Sequence, residues 1–536
     1  MKKKIIRERN KLNLVNLLIT IIVALIAYFI FLPALNFQSI GFYAYLLLII
    51  IVYSMLSIEN KLINSEVQIG IDQAAIVAIA VVLLVAFLFG INFIFSPIFM
   101  SEEYKNRIEI DQKGDFTKDI PKVDFDKLPL LDKKSSIKLG DRVMGQMPEL
   151  VSQFYVSDIY TQINYNNKIL RVTPLEYNGF FKYLSNHKDG VKGYITVDSV
   201  SGKSELVKLD KGMKYMPSAI LMENLKRKLR FKYPTKIFGK ATFELDEEGN
   251  PYWVVPVMKY KGIQLLEDVA GVILLNPVTG KSKYYDVNKV PTWVDHVYQS
   301  HLIIDQIDDW GRYNNGFLNS MFGQKNVVVT TDGYNYTVMD DDVYLYTGIT
   351  SVASDESNIG FVLSNMRTKE TTFYAVPGAE EYSAMVSAEG QVQQMDYEAT
   401  FPLLINLNNK PTYLISLKDA GGLVKMYAFV DIKDYQQVVV TESSKGIKVA
   451  AQNYLGEAVF DNSDSKSIEK EITISYLSSA VINNNTYYYI IDSEGNKYQA
   501  SIKIDKLNLP FLKVGNKINI TYKKSDNVSI INNLNP

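Results

Sequence analysis

The chain has 536 residues, with 57 basic against 58 acidic side chains and no cysteine. A net charge of −1 excludes a global attraction to nucleic acid or acidic polymers. The missing thiols exclude disulfide staples and thiolate chemistry, so any core must rest on packing alone.

Three long apolar runs fill the first hundred residues: 17–35, 40–56 and 74–95. The first and third match the roughly 20 residues that a helix needs to cross hydrocarbon. The middle run is shorter but uncharged, and Tyr43, Tyr45 and Tyr53 suit positions toward an interface. Residues 1–100 therefore read as an anchor of three transmembrane helices, embedded in the lipid bilayer through residues 13–96. A cleaved signal peptide fits poorly, because two further apolar runs follow in place of a cleavage site. Lys2, Lys3, Lys4, Arg7, Arg9 and Lys11 precede the first run, whereas residues 36–39 carry no basic group. That asymmetry predicts a cytoplasmic N-terminus, and three crossings leave everything after Pro97 extracellular. The loop 58–72 holds only Lys61, so orientation rests on the N-terminal cluster.

Residues 101–138 are charged and punctuated by Pro121 and Pro129, which predicts an extended stalk. Val143, Met147, Leu150, Val151 and Phe154 then recur at helical spacings, with Pro148 set to kink or split the helix. Next comes an internal repeat, aligning 193–202, 271–280 and 360–369. Each copy runs from a β-rich stretch through a turn opened by Asp198, Asn276 or Asn365 into a second β-rich stretch, at 204–209, 282–287 and 371–376. Gly202 and Gly280 close their turns where a hairpin loop needs positive φ, whereas the third copy has Lys369. Pro217, Pro291 and Pro377 lead into helix-like stretches at 218–230, 292–310 and 379–391. Ile220, Leu221, Leu225 and Leu229 form one apolar stripe, expected to cover a face of the helix's own sheet. The expected fold class is α+β, with repeats 1 and 2 over 139–310 and a region holding repeat 3 over 311–460.

Asn276-Pro-Val-Thr-Gly280 closely resembles the turn of the PepSY class of small exported modules, and Asp198-Ser-Val-Ser-Gly202 resembles it more loosely. The whole arrangement is similar to a group of Gram-positive bacterial multi-span membrane proteins with such repeats, which brings no established activity with it. PepSY-like modules as a class imply inhibition or chaperoning of exported peptidases and regulation at the cell envelope.

Residues 443–455 read as a helix, with a domain boundary near Ser465. Strands are predicted at 472–477, 486–492, 497–504 and 517–522. Residues 510–522 resemble the strand entry of small OB-like barrels, so 467–536 is expected to be a small β-barrel-like domain. Such barrels often bind single strands or sugars. Tyr487, Tyr488 and Tyr489 are the one aromatic run there, and alternation sets Tyr488 opposite the other two, which favours packing over a stacking platform.

No catalytic, cofactor or metal motif assembles. His187, His296 and His301 form no paired motif; the last two are five apart on an expected helix, a poor fit to one metal. Asp340, Asp341 and Asp342 lack the alternation of a calcium loop and read as a solvated turn. Ser467 and Lys470 have Ser–Lys spacing at a linker, where chance explains them. Asp305, Asp308 and Asp309, or Glu380 and Glu381, would need distant acids to make a site. Lys226, Arg227, Lys228, Arg230 and Lys232 read as an exposed helix face, with anionic lipid or wall polymer as the alternative. No catalytic, cofactor-binding or metal residue and no cofactor is therefore assigned. The expected function is a membrane-anchored extracytoplasmic scaffold or regulatory binding protein of the cell envelope, with an envelope protein as partner. The alternatives are an exported hydrolase or wall-modifying enzyme with a nonlocal carboxylate site, and, should the topology invert, a cytoplasmic nucleic-acid-binding protein.

Overall fold

A computed structural model describes residues 2–63, 70–339, 341–352, 354–456, 468–482, 485–523 and 528–535. They divide into two units, Met1–Ile120 with Asp126–Glu380 and Pro121–Phe125 with Glu381–Pro536, taken here one at a time.

The first unit opens with helices Lys2–Phe31, Ile40–Ile63 and Gly70–Ile94. Among the described residues, Leu14–Phe31 is the one helix long and apolar enough by itself to cross a membrane. Ala78–Ile94 reaches that length only together with Pro97–Lys105, from which it is bent by 50°, and the apolar part of the middle helix, Ile40–Leu56, is shorter. Among the described residues, length and composition therefore support one crossing, or two if the bent pair is a single span, in place of the expected three; a signal sequence would pass the same test. The break falls where Pro97 takes the first helical position behind the extended Ser96.

Folded chain holds the ends of these helices. Arg230, 3% exposed, donates from Nε to Leu32 O at 3.1 Å and from Nη1 to the carbonyls of Tyr233, Pro234 and Lys236 at 3.3, 3.3 and 2.5 Å. The Arg227 guanidinium lies 4.4 Å from the Phe29 ring centre. Cations at a helix C-terminus satisfy its free carbonyls and oppose its dipole, so these two arginines are fastenings and not part of a free solvated face. Leu35 N donates to Pro234 O at 2.8 Å, Gln264 N to Gln38 O at 3.2 Å and Ile263 N to Asn92 Oδ1 at 3.0 Å. The turn after the first helix and the end of the third thus meet the same stretch, 260–264.

The expected stalk is folded instead. Helix Pro97–Lys105 is followed by strand Ile110–Gly114, which pairs in parallel with Thr371–Tyr374, and Ile108, Ile110, Phe116 and Ile120 are buried. Its charges hid this, because Arg107 is consumed by an ion pair with Asp309, their side chains 11% and 15% exposed. The amphipathic stretch starts earlier than expected, as helix Lys133–Gly145, and Pro148 opens a second short helix, Pro148–Val151.

Three sheets follow one plan: two short strands pair with a long central one, which leads into the repeat hairpin. In sheet I, Phe154–Val156 and Thr161–Tyr165 pair with Lys168–Tyr177, followed by Val191–Asp198 and Ser204–Met213. In sheet II, Ile237–Phe238 and Thr242–Leu245 pair with Pro251–Lys261, followed by Leu265–Leu275 and Ser282–Asp286. In sheet III, Val328–Thr330 and Asn335–Met339 pair with Asp342–Ser351, followed by Ser354–Asn365 and Thr371–Tyr374.

The repeat turns agree bond for bond. Oδ1 of Asp198, Asn276 and Asn365 accepts two backbone N–H bonds, from Val200 and Ser201, Val278 and Thr279, and Arg367 and Thr368, all within 2.8–3.0 Å. The fourth residue on donates back to the opening carbonyl at 2.9 Å in each, with φ of +74° at Gly202, +69° at Gly280 and +68° at Lys369. Lys369 bears a left-handed strain of about 1–2 kcal/mol. Its Nζ offsets this by donating to Asp268 Oδ1 at 2.9 Å and Arg107 O at 2.8 Å.

The first two repeat helices are each shared between sheets and do not cover their own alone, as the stripe had suggested. Leu225 and Leu229 of helix Leu225–Lys232 share a core with Leu175 and Ile195 of sheet I and Phe243, Trp253 and Ile273 of sheet II. Leu302, Ile303 and Ile307 of helix Ser300–Arg312 share another with Val254, Val272 and Leu274 of sheet II and Val343, Leu345 and Val362 of sheet III. Burying such side chains stabilises by roughly 1.5–3 kcal/mol each. Backbone bonds repeat the joint: Lys214 and Tyr215 donate to Pro277 O at 2.8 and 3.0 Å, and Val297 and Tyr298 to Met366 O at 3.1 and 2.9 Å.

The second unit holds a fourth sheet of the same plan, which the repeat alignment missed. Glu398–Ala399 and Leu403–Leu407 pair with Lys410–Lys418, followed by Val424–Asp431 and Val438–Glu442. Asp431 Oδ1 accepts from Lys433 N and Asp434 N at 2.8 and 3.0 Å, the same turn opening in a loop without glycine. Helices Glu381–Gly390 and Ile447–Leu455 pack on this sheet. The C-terminal strands Ile468–Ile482, Asn485–Asp492, Lys497–Ser501, Lys517–Lys523 and Ser529–Asn535 close a five-stranded barrel around Ile474, Ile490, Tyr498 and Ile520. Its fifth strand had not been expected.

Candidate ligand groove

Alternation along sheet II sends Trp253, Ile273 and Leu275 to the core shared with sheet I, and Tyr252, Val254, Val272 and Leu274 to the opposite face. Lys283 and Tyr285 of strand Ser282–Asp286 lie across from Leu274 and Val272 on that face. Toward the turns this face opens into a groove of about 880 Å³ lined by Tyr252, Leu274, Tyr285, Val290, Pro291 and Trp293. Tyr252 and Trp293 rings stand 5.1 Å apart at 43°, and the Lys283 ammonium lies 4.4 Å from the Tyr285 ring centre. Asp246, Glu247 and Glu248 stand at one rim, Lys281 and Lys283 at the other.

The groove is partly built by its turns. Asp246 Oδ1 accepts from Asn250 N at 2.7 Å, so this carboxylate fixes the loop, while Glu247 and Glu248 carry free charge outward. Strand Ser282–Asp286 is a sheet edge, paired on one side only. Such an edge offers unpaired backbone groups to an extended partner. Flat aromatic faces beside it suit an apolar or aromatic side chain, and carboxylates at the rim suit a cationic one.

The residues singled out in the sequence do not converge here. His187 Nδ1 lies 3.7 Å from Glu223 Oε2. His296 is buried, its Nε2 2.6 Å from Gln162 O, and precedes the helix that contains His301; no group of metal-ligating side chains occurs among the described residues. Asp308 accepts from Thr330 N and Oγ1 at 2.8 and 2.9 Å, Asp309 pairs with Arg107, and Asp305 is exposed. Glu381 is buried at the start of its helix, with Glu380 just ahead of it. Asp340 and Ser467 lie outside the described residues. Asp342 holds Arg367 through two bonds of 2.7 and 2.6 Å, and Asp341 accepts from Asn164 Nδ2. Lys470 pairs with Asp492 and Glu494. Tyr487 is buried, Tyr488 packs on the barrel core and Tyr489 accepts from Gln499 at 3.1 Å.

Two acids do converge, but in the sealed interior. Asp295 N donates to Glu244 Oε2 at 2.8 Å, and Asn164 N to Asp295 Oδ2 at 2.8 Å, tying sheet I to sheet II. Burial first, then the Glu244 charge, pushes the Asp295 carboxyl well above the usual carboxylate range. With both residues at 2% exposure or less, no substrate reaches them. Tyr252, Tyr285 and Trp293 were not foreseen, because their convergence needs the register between strands distant in sequence.

No protein-family model, curated protein or solved structure matches the chain.

Proposed function

We propose that the chain is a membrane-anchored extracytoplasmic binding protein of the cell envelope, whose stacked PepSY-like modules present the sheet II groove to an extended peptide. The observation that carries this reading is an aromatic-floored groove running along a sheet edge that no further strand covers. The ligand's backbone pairs along residues 283–286, one apolar or aromatic side chain packs on the Tyr252–Trp293 pair, and a basic one meets Glu247 and Glu248. The ends of the first and third helices meet the same 260–264 stretch, which supports an odd number of crossings and an N-terminus across the membrane from the modules. We read the C-terminal barrel as OB-like, since its third strand pairs in parallel with its fifth and the fifth returns to the fourth.

The test is fluorescence anisotropy on the full chain in detergent, titrated with labelled extended peptides that combine aromatic and basic residues. Trp293→Ala is expected to weaken the tightest peptide about tenfold or more, as loss of a buried aromatic anchor does. Unchanged affinity in that variant, or no saturable peptide, overturns the proposal.

A further inference from the structure

A second polar cluster lies apart from the groove, built around Arg171. This arginine stands directly across the ladder from Gln162, so both side chains rise from the same face of sheet I. Arg171 is 5% exposed and Gln162 1%. The Nε of Arg171 and both amide atoms of Gln162 have no hydrogen-bond partner, and among the described residues no acid forms an ion pair with the guanidinium. A buried charge without a full set of partners is destabilising, and a counter-ion fixed beside it relieves that.

The groups that face it are almost all donors. Tyr336 and Tyr334 lie within electrostatic reach of Arg171, their rings 5.6 Å apart, and Ser300 Oγ donates to Tyr334 Oη at 3.0 Å. Gln299 Nε2 donates to Lys240 O at 2.5 Å, which fixes the loop that carries the Lys240 ammonium. Lys133, at the first turn of helix Lys133–Gly145, feels Lys240 and Arg171 as like charges; its pKa is lowered by burial and then by Lys240. The acids nearby are Asp132 and Asp158, and Asp132 is engaged in capping, accepting from Ser135 N at 2.9 Å. Three cations that repel one another around a hydroxyl cluster are stabilised together by a compact dianion.

We propose that Arg171, Gln162, the Tyr334–Tyr336–Ser300 hydroxyls, Lys133 and Lys240 form a binding site for a small phosphate dianion, either inorganic phosphate or the head of a phosphate monoester. Arg171 and Gln162 hold its inner oxygens, the hydroxyls its flank, and the lysines close over it from the surface. The site does not depend on the peptide groove.

Calorimetry of the full chain in detergent, titrating sodium phosphate against a sodium chloride control of equal ionic strength, tests this directly. The native chain is expected to bind one phosphate saturably. Substituting the two exposed lysines, Lys133→Gln with Lys240→Gln, weakens it about tenfold, and Arg171→Met abolishes it. A merely structural arginine would unfold on that change, whereas here the apolar replacement leaves phosphate-free stability equal or higher. Competition by glycerol 3-phosphate and not by phosphatidic acid in the micelle assigns a soluble monoester; the reverse assigns a lipid headgroup. Absence of saturable binding, or phosphate affinity unchanged in the double lysine variant, overturns the site whatever Arg171→Met does.

Discussion

Glu176, on the central strand of sheet I and 2% exposed, makes stability depend on pH in a direction opposite to that of most carboxylates. Burial raises its carboxyl from 4.5 to about 7, against the bonds it accepts from Ser218 N and Oγ. In the unfolded chain the proton leaves near 4.5. Between the two values the folded protein holds a proton that the unfolded one has lost, so stability falls as pH rises, by about 1.4 kcal/mol per unit and about 3 kcal/mol in all. Below 4.5 both states are protonated and the term vanishes; above 7 the full cost remains. Glu176→Gln keeps a carbonyl acceptor for Ser218 and removes the charge. Its advantage over the native chain is expected to be near zero at pH 4 and to grow to about 3 kcal/mol at pH 8. Trp253, Trp293 and Trp310 all lie in the first unit, so urea unfolding followed by tryptophan fluorescence reads that unit. A difference between the two proteins that stays constant from pH 4 to 8 refutes the buried-proton account.

Other perturbations probe the joints. Lys369→Gly relieves the left-handed backbone but strips Asp268 of its closest cation, and should lower stability by about 2 kcal/mol net; a gain in urea midpoint would mean that strain dominates. Arg230→Met removes the cap on the carbonyl of Leu32 and should speed hydrogen exchange at the Leu35 amide about 30-fold, with a cost near 2 kcal/mol, whereas unchanged exchange would show that the helix end is held by packing alone. A cysteine placed at exposed Asp210, the sole thiol in the chain, should react with an impermeant maleimide in intact cells, and labelling only after lysis would overturn the extracytoplasmic placement.

The sequence was most informative where the chemistry is local. The openings at Asp198, Asn276 and Asn365 depend on one side chain bonding two amides next to it, so alignment of short segments found all three hairpins. It also flagged Lys369 as an exception, although the backbone there matches the glycines. The fourth sheet escaped because its loop from Asp431 is longer and lacks a closing glycine. Folding of 101–120 was concealed by charges whose partners are remote, Arg107 with Asp309 above all. The groove was the least legible, since Tyr252, Tyr285 and Trp293 meet only through strand register. Arg171 and Gln162 read as ordinary strand residues until their burial without partners is known.

The joint between successive sheets has an evolutionary consequence. Because at both joints of the first unit the segment after one hairpin hands two amides to a single carbonyl in the next turn, the connector is the same at each. A duplication or loss of one whole module would leave that connector intact, so lineages could lengthen or shorten the array in unit steps, while a cut inside a module would strand both a helix and a turn.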